Sequence, residues 1–250
     1  NNRKLLDGAR KLGWQAAATK RNVKGCANSG YCGMGCPVDA KQGMHLTYLP
    51  DALEAGMTLI VNSPVQRLVR EGAKATSVVA KAHHPNAATP VGHDIIVHAQ
   101  TIVVSGGALN SPALLLRSGL NANGRVGKRT FLHPVIGVLG RYDEPVQGFY
   151  GAPQSVASHE FARPDSDRMG VFLEAAPVHP VLAASVLPVM GESAQEAMAD
   201  LANLSALIAL HIDGFVPGDV GGTVSLRSGG LPKLDYPISD ALQGMLKLSH

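Results

Sequence analysis

Apolar positions recur at helical spacing at the start of the chain: Leu5, Leu6, Ala9 and Leu12 share one face, and Gly13 follows as a stop. This pattern predicts a short amphipathic helix over 3–12. Residues 20–43 carry glycine, cysteine and lysine without a period and read as an ordered loop. A second helix is predicted over 46–54, with Pro50 leaving its start open and Gly56 ending it. The period then shortens to that of strands. Residues 58–61 are apolar, 65–70 alternate, and 75–82 follow a turn at Gly72. After a polar loop at 83–92, residues 94–98 return as a strand. Closely spaced strands with short turns predict an antiparallel meander.

The β-branched run Thr101-Ile102-Val103-Val104 reads as a buried strand ending in Ser105-Gly106-Gly107 and leading into a helix. Ser111 is the expected N-cap, with Pro112 at the first helical position. Arg117 falls in the last turn and Gly119 just past the end, where a helix favours a cation and a left-handed residue. The two glycines remove side chains where strand becomes helix, so another backbone or a planar cofactor can approach. Such a joint is how a nucleotide-binding sheet presents amide donors to a ligand. The G-x-G-x-x-G fingerprint of dinucleotide folds is absent. Its nearest approximation, Gly33 to Val38, follows no strand, has Val38 at the third glycine position and contains Pro37. The chain is therefore a different fold or a piece of a larger one.

Beyond residue 134 prolines and glycines recur and strand signals spread out. Ser193 to Glu196 forms a capping box, which predicts a helix to about 203. Residues 206–212 suit a strand. Residues 223–226 and 234–236 flank the turn Ser228-Gly229-Gly230 and predict a hairpin. Ser239 or Asp240 caps a last helix that is expected to be still running at His250.

Composition narrows the class. Hydrophobic residues make up 45% and charged residues 16% of 250, enough apolar material for a core. With 28 glycines and 16 prolines the chain suits a loop-rich α/β or α+β protein. A net charge of +3, evenly spread, argues against a nucleic-acid partner. No apolar stretch reaches the length of a membrane span. Cys26, Cys32 and Cys36 are the only cysteines and fall within one short loop, unlike a disulfide framework. A single bridge with one thiol left over, a metal site and tight packing all remain open. His83, His84, His93 and His98 lie around a polar loop and read as solvated, and His133 reads as a structural hydrogen-bond partner.

Residues 107–120, with Gly107, Ser111-Pro112, the aliphatic run Leu114 to Leu116 and Ser118-Gly119-Leu120, resemble the second signature of the glucose–methanol–choline (GMC) oxidoreductases, which carry FAD. The departure is Asn121 in place of a final glycine. Residues 32–41 and 47–52 look like the family's loop and helix upstream of its adenine-contacting strand. Val65 is similar to the valine whose backbone meets the adenine. Residues 126–134 resemble the segment that leaves the FAD domain, and 231–236 resemble a strand of the substrate domain. The cysteine loop looks closest to the long-chain alcohol oxidase and related bacterial dehydrogenase branches.

The resemblance implies an incomplete α/β fold of the FAD/NAD(P)-binding type with an antiparallel β-meander insert, plus an α+β substrate domain built on an antiparallel sheet. It divides the chain into a helix and cysteine loop (1–37), part of an FAD-binding domain (38–134) and part of a substrate-binding domain (135–250). The implied activity is oxidation of a small-molecule alcohol by hydride transfer to FAD, with oxygen, a quinone or a cytochrome as final acceptor. The implied cofactor contacts are Val65, Ser105, Gly106, Gly107, Ala108 and Leu109. The G-x-G-x-x-G turn would precede Asn1 and the catalytic histidine would lie beyond His250, so no catalytic residue is assigned within the chain. The chain is thus expected to be an internal segment with poor FAD affinity when alone and with exposed apolar surface. Two other readings stand beside it: a non-redox flavin protein of the same fold, as in hydroxynitrile lyases, and a metal or interaction module without flavin. Three cysteines near this place hold an iron–sulfur cluster in one branch of flavin dehydrogenases, which makes Cys26, Cys32 and Cys36 its candidate ligands. That branch has an adjacent cysteine pair, whereas Ala27 follows Cys26 here.

Overall fold

Frequent glycines and prolines break the chain into short strands, and these assemble into three small sheets. In the computed structural model, which describes residues 1–86, 89–163, 169–187 and 189–249, every strand pairing among the described residues is antiparallel. The elements begin with α1 (Asn2–Lys11), β1 (Ala17–Ala18), α2 (Tyr48–Glu54), β2 (Val65–Glu71), β3 (Lys74–His83), β4 (Pro90–His98) and α3 (Gly107–Arg117). Next come β5 (Lys128–Thr130), β6 (Val135–Arg141), β7 (Val156–Ser158), β8 (Gly170–Ala175), α4 (Pro180–Val186) and α5 (Glu192–Ala199). The last are β9 (Leu204–Ile212), β10 (Gly222–Leu226), β11 (Pro232–Asp235) and α6 (Asp240–Ser249). The sheets have the orders β1-β7-β8-β9-β6, β11-β10-β5 and β2-β3-β4. Two compact units result, each discontinuous in sequence: residues 1–56, 132–218 and 239–250 form the first, and 57–131 with 219–238 the second.

The first unit is built on the five-stranded sheet. Leu5 of α1, Val156 of β7 and Ala175 of β8 form one buried cluster, with Leu173 and Leu207 packed against it. The amphipathic reading of the first helix holds for Leu5 and Ala9, which are buried, whereas Leu12 lies just past the helix end and is exposed. Helix α6 starts as its sequence implies. The Leu242 amide donates to Ser239 Oγ at 3.2 Å, so Ser239 is the cap and Asp240 lies in the first turn. Its helical backbone is described as far as Ser249. The expectation that the helix is still running at His250 falls on a residue outside the described ones. Helix α5 starts earlier than the capping box predicts. Gly191, at φ 65°, occupies the N-cap position, no side chain caps the helix, and Ser193 lies inside it.

The second unit contains the meander. Glu71 pairs with Lys74 across a two-residue turn whose first central residue, Gly72, has φ 59°. Helix α3 packs against β2, β10 and β11 and buries Ala113 completely. Its C-terminus is a Schellman motif: Gly119 at φ 68° donates to the Leu116 carbonyl at 3.1 Å, and Leu120 to Leu115 at 2.9 Å. Its N-terminus departs from expectation. The helix starts at Gly107 with Gly106 as N-cap, so Ser111 caps nothing and Pro112 lies inside. Two flexible glycines supply the turn upstream of the Ser-Pro pair, so coiling begins there and Pro112 forgoes only its own backbone bond.

Two other strand expectations are corrected. Residues 58–61 and 101–105 are outside any strand, and Val103 is 80% exposed. A run of β-branched residues becomes a buried strand only when neighbours pair its backbone and cover its faces. Among the described residues neither segment has such a neighbour. The expected exposed apolar surface is accordingly present, with Leu59, Ile60 and Val61 all outward.

Ser118 fastens α3 to the meander. Its hydroxyl accepts the Leu68 amide proton at 2.9 Å and donates to the Leu114 carbonyl at 2.7 Å. Ser118→Ala leaves the part-buried Leu68 amide without its acceptor. A loss of about 1–3 kcal/mol is expected, read as a lowered urea midpoint at unchanged slope.

Candidate functional site

The glycine joint and the start of the meander converge on one groove within the second unit. Val65 opens β2, and Ser105 and Gly106 precede α3, forty residues later in the chain. All three line a cavity of about 470 Å³, with Leu68, Val78, Ile102, Val103, Val104, Asn110, Leu114 and Arg117 among its other walls. Gly107, Ala108 and Leu109 are outside the wall set and form the first turn of α3 at its edge.

Local geometry explains why this turn is bare. A side chain on Gly106 would sit 3.2 Å from both Asn110 Cβ and the Ser111 nitrogen, closer than ordinary contact, so the joint closes with least displacement when glycine stands there. Gly107 has φ 78°, and nothing lies within 4 Å of where its Cβ would be. No side chain caps the helix. The first amides of α3 thus carry the partial positive charge of a helix N-terminus beside open space. The Gly106 wall and the Gly107 opening are different uses of the same residue type.

Arg117 holds the opposite wall in place. Its guanidinium donates through Nη2 to the Val65 carbonyl at 3.3 Å, through Nε to Gln66 at 3.0 Å and through Nη1 to Gly230 at 2.9 Å. One cation at the end of α3 therefore fixes the backbone of β2 and the β10–β11 turn together. Sequence reasoning assigns Arg117 only to the helix dipole. The missed signal is the pairing of an arginine in the last helical turn with a double-glycine turn, where Gly230 at φ 80° leaves room for its stem.

The cysteines do not gather. All three are free thiols, and no group of three or more His, Cys, Asp or Glu side chains among the described residues stands together as a metal site. Cys32 Sγ accepts from Arg21 Nη2 at 3.5 Å. Backbone amides of Val38 foremost, then of Lys41 and Ala40, point at the Cys36 thiol and hold its pKa below the ordinary thiol value, against burial and the Asp39 charge. Thiolate is the reactive form. The rate at which iodoacetamide labels Cys36 is expected to reach half its maximum below the pH usual for a cysteine thiol; peptide mapping over a pH series checks this. Of the loop histidines, His84, His93 and His98 are exposed and His83 is half-buried. His133 lies with its ring centre 5.4 Å from that of Phe172. The terminal His250, which marks the boundary beyond which the catalytic histidine is expected, lies outside the described residues.

A sequence model of the GMC oxidoreductase family matches residues 1–135. The chain belongs to the GMC oxidoreductase family. It is 38% identical over 191 residues to an uncharacterized GMC-type oxidoreductase of Mycobacterium tuberculosis, covering 76% of this chain and 29% of that protein. It is 26% identical over 234 residues to the long-chain-alcohol oxidase FAO1 of Arabidopsis thaliana, covering 88% of this chain and 31% of that one. The chain thus spans about three tenths of the length of these GMC relatives. Among solved structures, pyridoxine 4-oxidase from Mesorbium loti shares the fold at a TM-score of 0.50 and 18% identity, over 85% of this chain and 42% of that one. The mixed α/β architecture is therefore that of a GMC protein.

Proposed function

We propose that this chain is the middle part of an FAD-dependent GMC oxidoreductase that oxidises the CH–OH group of a small alcohol. In this reading 38–134 contributes to the FAD-binding domain and 135–250 to the substrate domain. The observation that carries it is the meeting of Val65 with Ser105 and Gly106 on one groove.

The residues present fit one end of a dinucleotide. The groove is of small-molecule size. The uncapped first turn of α3 offers the amides of Gly107, Ala108 and Leu109 to an anionic group, and no side chain obstructs it at Gly107. Val65 would face the adenine through its backbone, on a strand start that Arg117 holds still. Bound FAD would supply the hydride acceptor for the alcohol carbon. The work of this chain is to hold and orient the nucleotide. The base that takes the alcohol proton is expected beyond His250.

The test is made on the full-length polypeptide. Purified protein is expected to show the flavin band near ~450 nm that the cofactor's own chemistry provides, and to lose it on anaerobic addition of a primary alcohol. A full-length protein without flavin would sink the reading. One that holds flavin but bleaches with no alcohol would favour non-redox chemistry on the same fold.

A further inference from the structure

The loop that follows β1 puts two cysteines on one support. Lys41 engages both: its backbone amide points at the Cys36 thiol, and its Nζ donates to the Cys32 carbonyl at 3.1 Å. The amides of Val38 and Ala40 point at the same Cys36 sulfur, so three backbone donors converge on one thiol. These donors are held from outside their own turn. Ala40 is buried, and its carbonyl accepts the Lys24 amide proton at 2.8 Å. Lys41 bridges to Val23, and the Gln42 amide donates to the Asn22 carbonyl at 3.0 Å.

Cys32 is supported differently. It lies in the 3₁₀ turn Tyr31–Gly33, and Arg21 Nη2 donates to its Sγ at 3.5 Å. The same guanidinium donates through Nη1 to Ser155 Oγ at 3.3 Å, and its Nε is buried without a hydrogen-bond partner. Arg21 makes no ion pair among the described residues, so its charge stands at the Cys32 sulfur without a carboxylate to balance it. Three residues separate the two cysteines, and two of them are Gly33 and Gly35. Gly35 has φ 106°, and nothing lies within 4 Å of where its Cβ would be, so this spacer bends without displacing a neighbour. Upstream the loop is pinned: the Gly151 amide donates to the Asn28 carbonyl at 2.8 Å. Cys26 is exposed and bonds within its own turn, accepting from the Asn28 amide at 3.4 Å.

We propose that Cys36 and Cys32 form a peroxide-reactive thiol pair, in which a hydroperoxide oxidises Cys36 and Cys32 closes the disulfide. With hydrogen peroxide, the Cys36 thiolate attacks one oxygen, an S–O bond forms and the O–O bond breaks. The departing hydroxide takes up a proton and leaves as water. The sulfur gives up two electrons and becomes a sulfenic acid, and the peroxide is reduced by the same two. The Cys32 thiolate then attacks the Cys36 sulfur, the S–S bond forms, the S–O bond breaks and a second water leaves. Two thiols and one hydrogen peroxide give one disulfide and two waters. The three amides stabilise negative charge on Cys36 for the first step, and the Arg21 guanidinium supports charge on Cys32 for the second. Both cysteines are half-buried, open to a reagent of this size. The pair lies wholly within the first unit and is independent of the flavin reading.

Lys24 and Lys41 bound a single tryptic peptide, residues 25–41, that contains all three cysteines. The reduced chain is treated near neutral pH with a few equivalents of hydrogen peroxide, blocked with iodoacetamide, digested and mapped by mass spectrometry. The expected peptide has lost two hydrogens, carries one iodoacetamide label, on Cys26, and fragments as a closed ring between Cys32 and Cys36. Cys32→Ser is expected to stop at the sulfenic acid, captured by dimedone on Cys36. Cys36→Ser is expected to give neither a bridge nor a dimedone adduct on Cys32. Thermal midpoints report whether each variant is folded, and the map of the parent chain decides the matter should a variant fail. A bridge that includes Cys26, dimedone on Cys32 in place of Cys36, or a parent peptide that keeps three thiols would overturn the proposal.

Discussion

Gly107→Asp in the full-length polypeptide is expected to leave the protein folded and deprive it of flavin. A carboxylate at this one position acts with opposite signs on the helix and on a bound phosphate. Gly107 sits at φ 78°, which asparagine and aspartate tolerate better than other side chains. Nothing lies within 4 Å of its Cβ, so the new side chain meets open space. It is also the first residue of α3, where a carboxylate favours the helix by about 0.3–1 kcal/mol. The left-handed backbone still strains an aspartate, and the helix term offsets about 0.3–1 kcal/mol of that, so only a small loss of stability is expected. For a phosphate-bearing ligand on the same amides the sign reverses. Two like charges about 5 Å apart at an effective dielectric near 20 repel by roughly 3 kcal/mol, more than a hundredfold in affinity. Gly107→Asn has the same shape without the charge and is expected to keep most of the flavin. Flavin content by absorbance, with thermal midpoints alongside, separates the two. Full flavin in the aspartate variant would remove this turn from the cofactor site.

What the sequence makes legible here is local. The meander, the hairpin around Gly229 and Gly230 and the Ser239 cap are written in alternation, turn residues and caps within a few positions of one another. The start of α3 misleads because its strongest local signal, Ser111-Pro112, is overruled by freedom at Gly106 and Gly107. The strand expectation at 101–105 fails for a different reason: pairing is not a property of the run itself. Its residues are suited to a sheet, and the described residues provide no strand beside it. The candidate site divides in the same way. Val65, Ser105 and Gly106 are recognisable from sequence as separate pieces, and their meeting is visible only in three dimensions. Arg117 shows the limit most clearly. Its reach to Val65, Gln66 and Gly230 links segments more than a hundred residues apart, and no periodicity carries that information.

Gly127→Ala is expected to be the most damaging small substitution in the second unit. Gly127 has φ 79°, a region that costs alanine roughly 1 kcal/mol or more. The larger effect is steric. An alanine Cβ would come 2.1 Å from the Val224 carbonyl oxygen, and this is backbone that cannot rotate away. The Val224 amide donates to the Gly127 carbonyl at 2.7 Å, and the Val224 side chain is 1% exposed at the centre of β10. Relief therefore requires parting the chain at Gly127 from β10, with loss of that hydrogen bond and of core packing. Overpacking of this kind adds about 1–3 kcal/mol to the conformational cost. The total is about 2–4 kcal/mol, a large share of the stability of a small domain. Gly124→Ala is the control: its φ is 67°, but nothing lies within 4 Å of the added atom, so only the conformational part is lost. Urea midpoints of the two variants against the parent give the difference. Since β10 packs against α3, the Gly127 variant is also expected to loosen the helix that forms one wall of the groove. Earlier amide exchange along 107–117 than in the Gly124 variant reports that loosening, and equal exchange in both would show that the clash is absorbed at β10 alone.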